Sequence, residues 1–380
     1  MRPMHARLSV VILAAGLTLP GAAPAAIQIA STGDGLFEPE YRLASPGYDY
    51  EFPRDHGSHP DYKLEWWYYT GHLAAEDGRA FGYELTFFRI GMDQRSRNPS
   101  AWSVDDVHVA HFALSDLDGA TFSFWERVNR RGPGIAHAAE GTLDVRNESW
   151  TARLDEGVMR LRAYANGILL ELELVSDKPP VVHGTDGISR KGDGVGQASH
   201  YYSMTRMETS GLLSIQGEAV GVTGQSWMDH EFGTNQLAPD QVGWDWFSLQ
   251  LDNGEELMLY RLRQRGGAID RNSSGTVVSE DGRGTHLRVD DFSVLSLRDW
   301  ASPKSEAVYR LDWAIEVPST DAELYIVPLM DDQELVTTRS TGIAYWEGAV
   351  RVEGTWRGQP VAGRGYVELT GYAENYRPGV

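Results

Sequence analysis

Residues 66–89 read WWYYTGHLAAEDGRAFGYELTFFR, and residues 244–261 read WDWFSLQLDNGEELMLYR. Each is an aromatic run, a polar turn carrying glycine, an alternating apolar run and a closing arginine, Arg89 or Arg261. In the first, Phe81, Tyr83, Leu85 and Phe87 alternate with Gly82, Glu84 and Thr86. A period of two places the apolar set on one side of an extended chain, the mark of a half-buried strand. A second pair of segments repeats in the same order. GEAVGVTGQSWMDHEFG at 217–233 answers GTWRGQPVAGRGYVELTGY at 354–372, matching Gly217 to Gly354, Gly224 to Gly363, Trp227 to Tyr366 and Asp229 to Glu368. Opening and closing signatures that recur in order indicate an internal duplication.

The rest of the 380-residue chain agrees with an all-β reading. Asp-Gly or Asn-Gly pairs begin at Asp34, Asp77, Asp118, Asn166, Asp186, Asp193, Asn253 and Asp281, and such pairs favour the positive φ angles of tight hairpins. Long stretches at helical period are missing. The expectation is two tandem β domains, 55–233 and 234–380. So many strands leave edges that closure into antiparallel barrels would protect. The first copy is longer, and its surplus between Val175 and Ser203 is expected to form a long ordered loop, the kind of segment that often carries function. Ahead of the domains, Arg2 and Arg7, the apolar run Leu8 to Leu19 and Ala23-Pro24-Ala25 read as a cleaved signal peptide over 1–25, followed by an N-terminal segment at 26–54. The dozen apolar residues fall short of the roughly 20 that span a bilayer. A periplasmic or secreted protein is therefore expected.

Composition narrows the chemistry. The balance of 34 basic and 54 acidic residues gives a formal charge of −20, which repels nucleic acid. Cysteine is absent, removing disulfides, thiolate nucleophiles and sulfur metal ligands together. Gly192, Gly194 and Gly196 have neither dinucleotide nor P-loop spacing, and Gly224-Gln225-Ser226-Trp227-Met228 lacks the second glycine of a nucleophile elbow.

The motifs FPRDHGSHPD (52–61), EWWYYTGHL (65–73), HG-x-x-G-x-S-x-K-G (183–192), SHYYS (199–203) and GQSWMDHEFG (224–233) occur in this order. With them the chain resembles the AttH/CrtC-like family of tandem lipocalin-like proteins, also labelled predicted secreted hydrolases, over nearly its whole length. The resemblance implies two calycin-type barrels with the ligand cavity mainly in the N-terminal one, the second barrel supporting it. Among such proteins the carotenoid 1,2-hydratases add water across a terminal isoprenoid double bond without a cofactor. They carry an aromatic residue and an acid on the strand that corresponds to Met258–Arg263. Here Tyr260 is retained, while Arg261 and Arg263 stand where the acid is expected.

Candidate site residues follow from the alternation. Asp229 and Glu231 should share one face of the closing strand, with His230, Met228 and Phe232 on the other. Two carboxyls crowded against tryptophan would raise one pKa and yield a general acid. The plainer reading makes Asp229 an acceptor for backbone donors and His230 a structural histidine. Glu65, Trp66, Trp67, Tyr68 and Trp227 are expected to build a cavity wall whose aromatic faces could stabilise a carbocation; the plainer reading makes the tryptophans core and Glu65 a partner of Arg54 or Arg206. His183, Lys191, Ser199, Tyr201 and Tyr202 are expected near the cavity mouth, orienting the polar end of an apolar ligand. Asp229, His230, Glu231 and Tyr260 are the candidate catalytic group. A metal set built from Asp229, His230 and His183 is a minor alternative, and neither metal nor cofactor is expected.

The residues leave three functions open. One is a cofactor-free hydratase or isomerase acting on an isoprenoid or lipid-like ligand, with membrane export or transport components as further partners. Another is a non-catalytic lipid carrier. The last is an ester hydrolase, which needs Ser199 or Ser226 within reach of His183 or His230.

Overall fold

The structure, a computed structural model, describes residues 41–92, 104–132, 134–234 and 237–373. The expected signal peptide, and the N-terminal segment as far as residue 40, lie outside the described residues. The chain is all-β and forms two antiparallel sheets. The first contains β1 (Leu64–Ala75), β2 (Ala80–Gly91), β3 (Asp106–Asp116), β4 (Thr121–Arg130), β5 (Ala136–Ala138), β6 (Asp144–Asn147), β7 (Trp150–Asp155), β8 (Val158–Ala165), β9 (Ile168–Ser176), β10 (Val181–Val182), β11 (Ser189–Arg190), β12 (Ala198–Ile215) and β13 (Glu218–Gly233). The second contains β14 (Gln241–Leu251), β15 (Glu256–Gln264), β16 (Ser274–Val278), β17 (Gly284–Arg288), β18 (Ser293–Ala301), β19 (Val308–Val317), β20 (Ala322–Pro328), β21 (Glu334–Val336), β22 (Ala344–Trp356) and β23 (Gln359–Thr370).

The first sheet runs β4-β3-β2-β1-β13-β12-β9-β8-β7-β6-β5 and curls into a near-closed barrel. Side chains bridge the remaining gap between β4 and β6: Asn129 Nδ2 donates to Asn147 Oδ1 at 2.7 Å, and Arg127 Nη1 to the Asn147 carbonyl at 2.9 Å. These bonds cover the edge that ladder bonds leave open. The second sheet runs β17-β16-β15-β14-β23-β22-β20-β19-β18 and curves into a half-barrel, so the two copies differ in degree of closure.

Hairpin chemistry explains much of the up-and-down order. Asn166 and Gly167 have φ of 47° and 83° and join β8 to β9 with Ala165 opposite Ile168, the geometry of a two-residue turn that matches strand twist. Gln216-Gly217 and Arg357-Gly358 turn in the same way, although their first residues are not the usual Asn or Asp.

The two copies superimpose in register as well as in order. Tyr68 lies opposite Asp229 in the first sheet, and Trp246 lies opposite Glu368 in the second. The same offset puts Arg263 where Arg89 stands, because Arg89 pairs with Glu65 and Arg263 with Gly243. The sequence match of Arg89 to Arg261 is therefore two residues out of register.

The interior of the first barrel is filled. Trp67, Tyr69, Phe81, Tyr83, Phe112, Trp150 and Met228 pack there with essentially no exposure. The expected cavity in the N-terminal barrel is thus displaced, since bulky aromatics occupy that space. The surplus after β9 is an ordered strap: β10 and β11 both pair with β12, and the His183 amide bonds the Tyr201 carbonyl at 2.9 Å. The outer face of β1, β12 and β13 meets the second sheet. His72 Nε2 bonds the Gly365 carbonyl at 2.8 Å, Gln250 Nε2 the Ser226 carbonyl at 3.0 Å, and Lys178 Nζ reaches Glu256 at 2.8 Å.

Trp66 and Trp67 point to opposite sides of β1, and this yields a stability test. Trp67→Ala removes an interior ring and is expected to cost about 3–5 kcal/mol, whereas half-buried Trp66→Ala costs clearly less. Paired denaturant titrations read the difference, and equal losses would contradict the assignment of faces.

Candidate functional site

A cavity of about 300 Å³ lies between the two sheets. Strand alternation decides what reaches it. From β1 come Trp66 and Tyr68, from β2 Thr86 and Phe88, from β13 Asp229 and Glu231, and from β12 Tyr201. The second sheet is no mere support, because it supplies Trp244, Trp246, Tyr260, Tyr345, Glu347 and Glu368. Lys191 enters from the strap.

Asp229 is the best-defined group. Tyr201 Oη donates to Oδ2 at 2.6 Å, and Trp227 Nε1 to Oδ1 at 2.6 Å. Ser203 Oγ also donates to Oδ1. Burial is the largest influence on its pKa, and the charge of Glu231 acts in the same direction. Both outweigh the three donors, so the carboxyl is pushed up to about 7. Behind it, His183 Nε2 bonds Ser203 Oγ at 2.7 Å and Nδ1 bonds Thr276 Oγ1 at 2.8 Å. Burial pushes His183 down to about 3, so the ring is neutral, and a proton on Nε2 satisfies both contacts.

Glu231 faces Lys191, with Nζ at 3.1 Å from Oε1. The ammonium also lies 4.2 Å from the Tyr260 ring centroid. Burial opposes its charge, but the fields of Glu231 and Tyr260 prevail and hold the Lys191 pKa above its ordinary value. Tyr260 turns its hydroxyl away, to Ser189 at 2.8 Å and the Arg190 carbonyl at 3.1 Å. Arg261 and Arg263 face the other side of β15, where both bind Asp245 at 2.7 and 2.9 Å. They do not replace an acid in the cavity.

The second sheet carries acids that the sequence reading did not single out as site residues. Trp244 Nε1 donates to Glu368 Oε2 at 2.9 Å, and Tyr68 Oη donates to Glu347 Oε2 at 2.7 Å across the sheets. Burial, then Asp229 and Glu231, push Glu368 up to about 7. Glu347 is raised well above the carboxylate range by burial and by Glu368 and Glu84. Glu368 was visible in the sequence as the repeat partner of Asp229. Glu347 gave no motif of its own, and Trp246 was visible only within the aromatic run of the second repeat.

Several expected site residues lie elsewhere. His230 points into the first barrel, where it stacks on Trp67 at 4.8 Å and bonds Glu65 Oε1 at 3.0 Å. Tyr202 bonds His56 at 2.7 Å inside the same barrel. Trp67 donates to the His56 carbonyl at 3.0 Å. His183 and Trp227 touch the cavity only through the Asp229 network, and the buried Ser199 hydroxyl has no partner. None of the four Ser-His pairs open to a hydrolase forms: Ser226 bonds Tyr83 at 2.6 Å and Thr209 at 2.7 Å. Ser203 does meet His183, but its proton goes to Asp229, which is the wrong polarity for activating a nucleophile.

Glu65 touches one end of the cavity, yet its partners are not Arg54 or Arg206. It accepts from Ser58 at 2.9 Å, from the His59 ring at 2.8 Å, from Arg89 at 3.0 Å and from His230. Burial opposes ionisation, but the His230 and His59 bonds and the Arg89 charge hold its pKa well below the ordinary range. Arg54 instead binds Asp55 and Glu51, and Arg206 binds Glu256. His59, Glu65 and His230 bring ligand-type atoms within 4.8 Å of one another, but those atoms already serve each other as donors and acceptors. A metal set of Asp229, His230 and His183 is not assembled, because His230 lies on the opposite face of β13 from Asp229.

The AttH-like family profile matches residues 43–372. The chain belongs to the AttH-like family. A Nitrosomonas europaea crystal structure assigned to AttH is 37% identical, covers 88% of this chain and 100% of its own, and superimposes with a TM-score of 0.79. Kievitone hydratase from Nectria haematococca shares the fold at 15% identity and a TM-score of 0.66, over 88% of this chain and 98% of its own. A dehydratase of Emericella nidulans, asqC, is 22% identical over 247 residues, which is 63% of this AttH-like chain and 66% of that protein's length.

The raised pKa of Asp229 fixes the sign of a pH effect. Between the ordinary carboxylate value and about 7 the folded state holds a proton that the unfolded state has lost. This contribution is present at low pH and disappears as pH rises through about 7, at about 1.4 kcal/mol per pH unit within the window. Asp229→Asn removes it. The melting temperature of the variant relative to wild type should climb from pH 5 to pH 8; a constant difference would refute the raised pKa.

Proposed function

We propose that this AttH-like protein is a cofactor-free hydro-lyase or isomerase, exported from the cytoplasm, that acts on an apolar isoprenoid or lipid-like alkene held between its two sheets. The observation that carries this reading is the Asp229 carboxyl, buried and raised to about 7, at the wall of a largely apolar cavity. A protonated carboxyl out of water is the donor that an unactivated double bond requires. In hydration, the Asp229 O–H bond breaks and the alkene π pair forms a C–H bond. The cation left on the adjacent carbon lies among the faces of Trp66, Tyr68, Trp244 and Trp246, whose negative π clouds stabilise it. A water lone pair then closes the C–O bond, and the water's extra proton leaves for a carboxylate. Dehydration is the reverse.

Tyr201 positions the acid, since its hydroxyl bonds Asp229 while accepting from Trp246 Nε1 at 3.0 Å. Lys191 lies 3.1 Å from Glu231, and Asp229 is assigned as the proton donor of the two. The shared fold with a hydratase and the sequence relation to a dehydratase support this class of reaction. A volume of about 300 Å³ sits at the lower end of small-molecule pockets and suits one prenyl-sized segment.

Native mass spectrometry of the purified protein should find a co-purifying apolar ligand, and incubation in oxygen-18 water should label its hydrated product. Asp229→Asn should lose turnover by about 100-fold or more with the ligand still bound. A variant that retains turnover sinks the assignment of the acid, and a wild type that binds without turnover indicates a carrier.

A further inference from the structure

The duplication does more than repeat strands. Because Tyr68 opposite Asp229 corresponds to Trp246 opposite Glu368, the second copy delivers an acid to the position equivalent to Asp229. The two sheets pack face to face, so both acids border one cavity from different walls. Glu347 lies across the β22–β23 ladder from Glu368, at the position equivalent to Ser203, which lies across from Asp229. The first copy thus gives its acid a hydroxyl neighbour, and the second gives its acid another carboxyl.

We propose that Glu368, with Glu347 beside it, is a second proton-transfer centre that serves the ligand from the wall contributed by the C-terminal sheet. This rests on the function proposed above and divides its proton traffic between two residues. Asp229 gives its proton to one alkene carbon, and the Glu368 carboxylate takes the proton released in the next step. If water attacks, its oxygen pair closes the C–O bond and its proton goes to Glu368, giving an alcohol. If water is excluded, a neighbouring C–H gives its proton to Glu368 and its pair becomes a new C=C, giving a migrated double bond. Either way Asp229 ends ionised and Glu368 protonated, and return of one proton resets the pair.

An independent observation sits behind Glu368. Glu84 on β2 is wholly buried, and its Oε2 has no hydrogen-bond partner. Its other oxygen accepts from Thr86, a cavity residue. The charges acting on Glu84, Glu347 and Glu368 come from carboxyls alone. Three buried carboxyls without a countercharge cannot all ionise together; the unpartnered oxygen of Glu84 leaves a place for a proton, and protons on Glu84 and Glu347 leave Glu368 to stand as the carboxylate that accepts. Raised values for all three agree with this arrangement. Tyr68, at the boundary, donates to Glu347.

Two measurements on the full chain test the proposal. Infrared difference spectroscopy of ligand-free protein, titrated through neutral pH, should show carboxylic-acid C=O signals. Asp229→Asn should remove one component and Glu368→Gln a different one. Geraniol in deuterium oxide serves as the alkene probe. Glu368→Gln should lower formation of hydrated or migrated product by about 100-fold while recovered geraniol still gains deuterium, because Asp229 can give and retake a proton alone. Asp229→Asn should lose both product and exchange. Glu368→Asp should recover part of the product, which separates a lost proton acceptor from a misfolded protein. A Glu368→Gln protein that makes product within about two-fold of wild type, or retains every infrared component, overturns the proposal and leaves the function above standing. A wild type that neither converts nor exchanges geraniol overturns both.

Discussion

Strand β1 is buried on both faces, and a strand apolar on two sides must be covered twice. Trp67 and Tyr69 fill the first barrel, so Trp66 and Tyr68 need a second cover, and the half-barrel of the C-terminal copy provides it. The site depends on this constraint. Large rings on the facing sheets cannot interdigitate everywhere, and the space they leave is the cavity. The carboxyls at its wall are drawn out of water by the same packing that hides the rings.

That origin explains the electrostatics. Desolvation is the largest influence on Asp229, Glu347 and Glu368 alike, so their raised pKa values follow from sheet packing rather than from one dedicated partner. Where a cation is present the outcome reverses. Glu65 is as buried as these acids, but Arg89 and two histidines keep it ionised. Lys191 sets a cation 3.1 Å from Glu231 at the same cavity. A single interface therefore holds carboxyls of both kinds, and separation into proton donors and fixed anions is what acid–base chemistry requires.

Much of this was legible in the sequence, for identifiable reasons. Period-two alternation correctly put Asp229 with Glu231 and His230 with Met228, because the pleat alone decides which side chains share a face. The repeat tied Asp229 to Glu368, since matching ladders conserve position. Alternation does not say which face is inner, however. With aromatics on both sides of β1, nothing local separated Trp66 from Trp67 or Tyr201 from Tyr202. The family resemblance placed the cavity inside the first barrel, and His230, Trp67 and Tyr202 were counted with it. Glu347 was invisible because its importance arises from a contact with Tyr68, 279 positions away in the chain. The tie of Glu65 to Arg89 likewise depends on ladder register rather than on spacing along the chain.

The same geometry accounts for the unequal growth of the two copies. A cavity between sheets needs side walls as well as faces, and these copies are too alike in their central strands to supply both. The strap after β9 provides the missing wall. It is held to β12 by β10 and β11, and it carries Lys191 to Glu231 and Ser189 to Tyr260. His183, from the same strap, reaches Ser203 and steadies the donors around Asp229. One insertion in the first copy thus introduces the only lysine at the cavity wall among the described residues and orients the acid opposite the second copy. The asymmetry between a near-closed barrel with a strap and an open half-barrel is what turns a duplicated sheet into a site with two distinguishable ends.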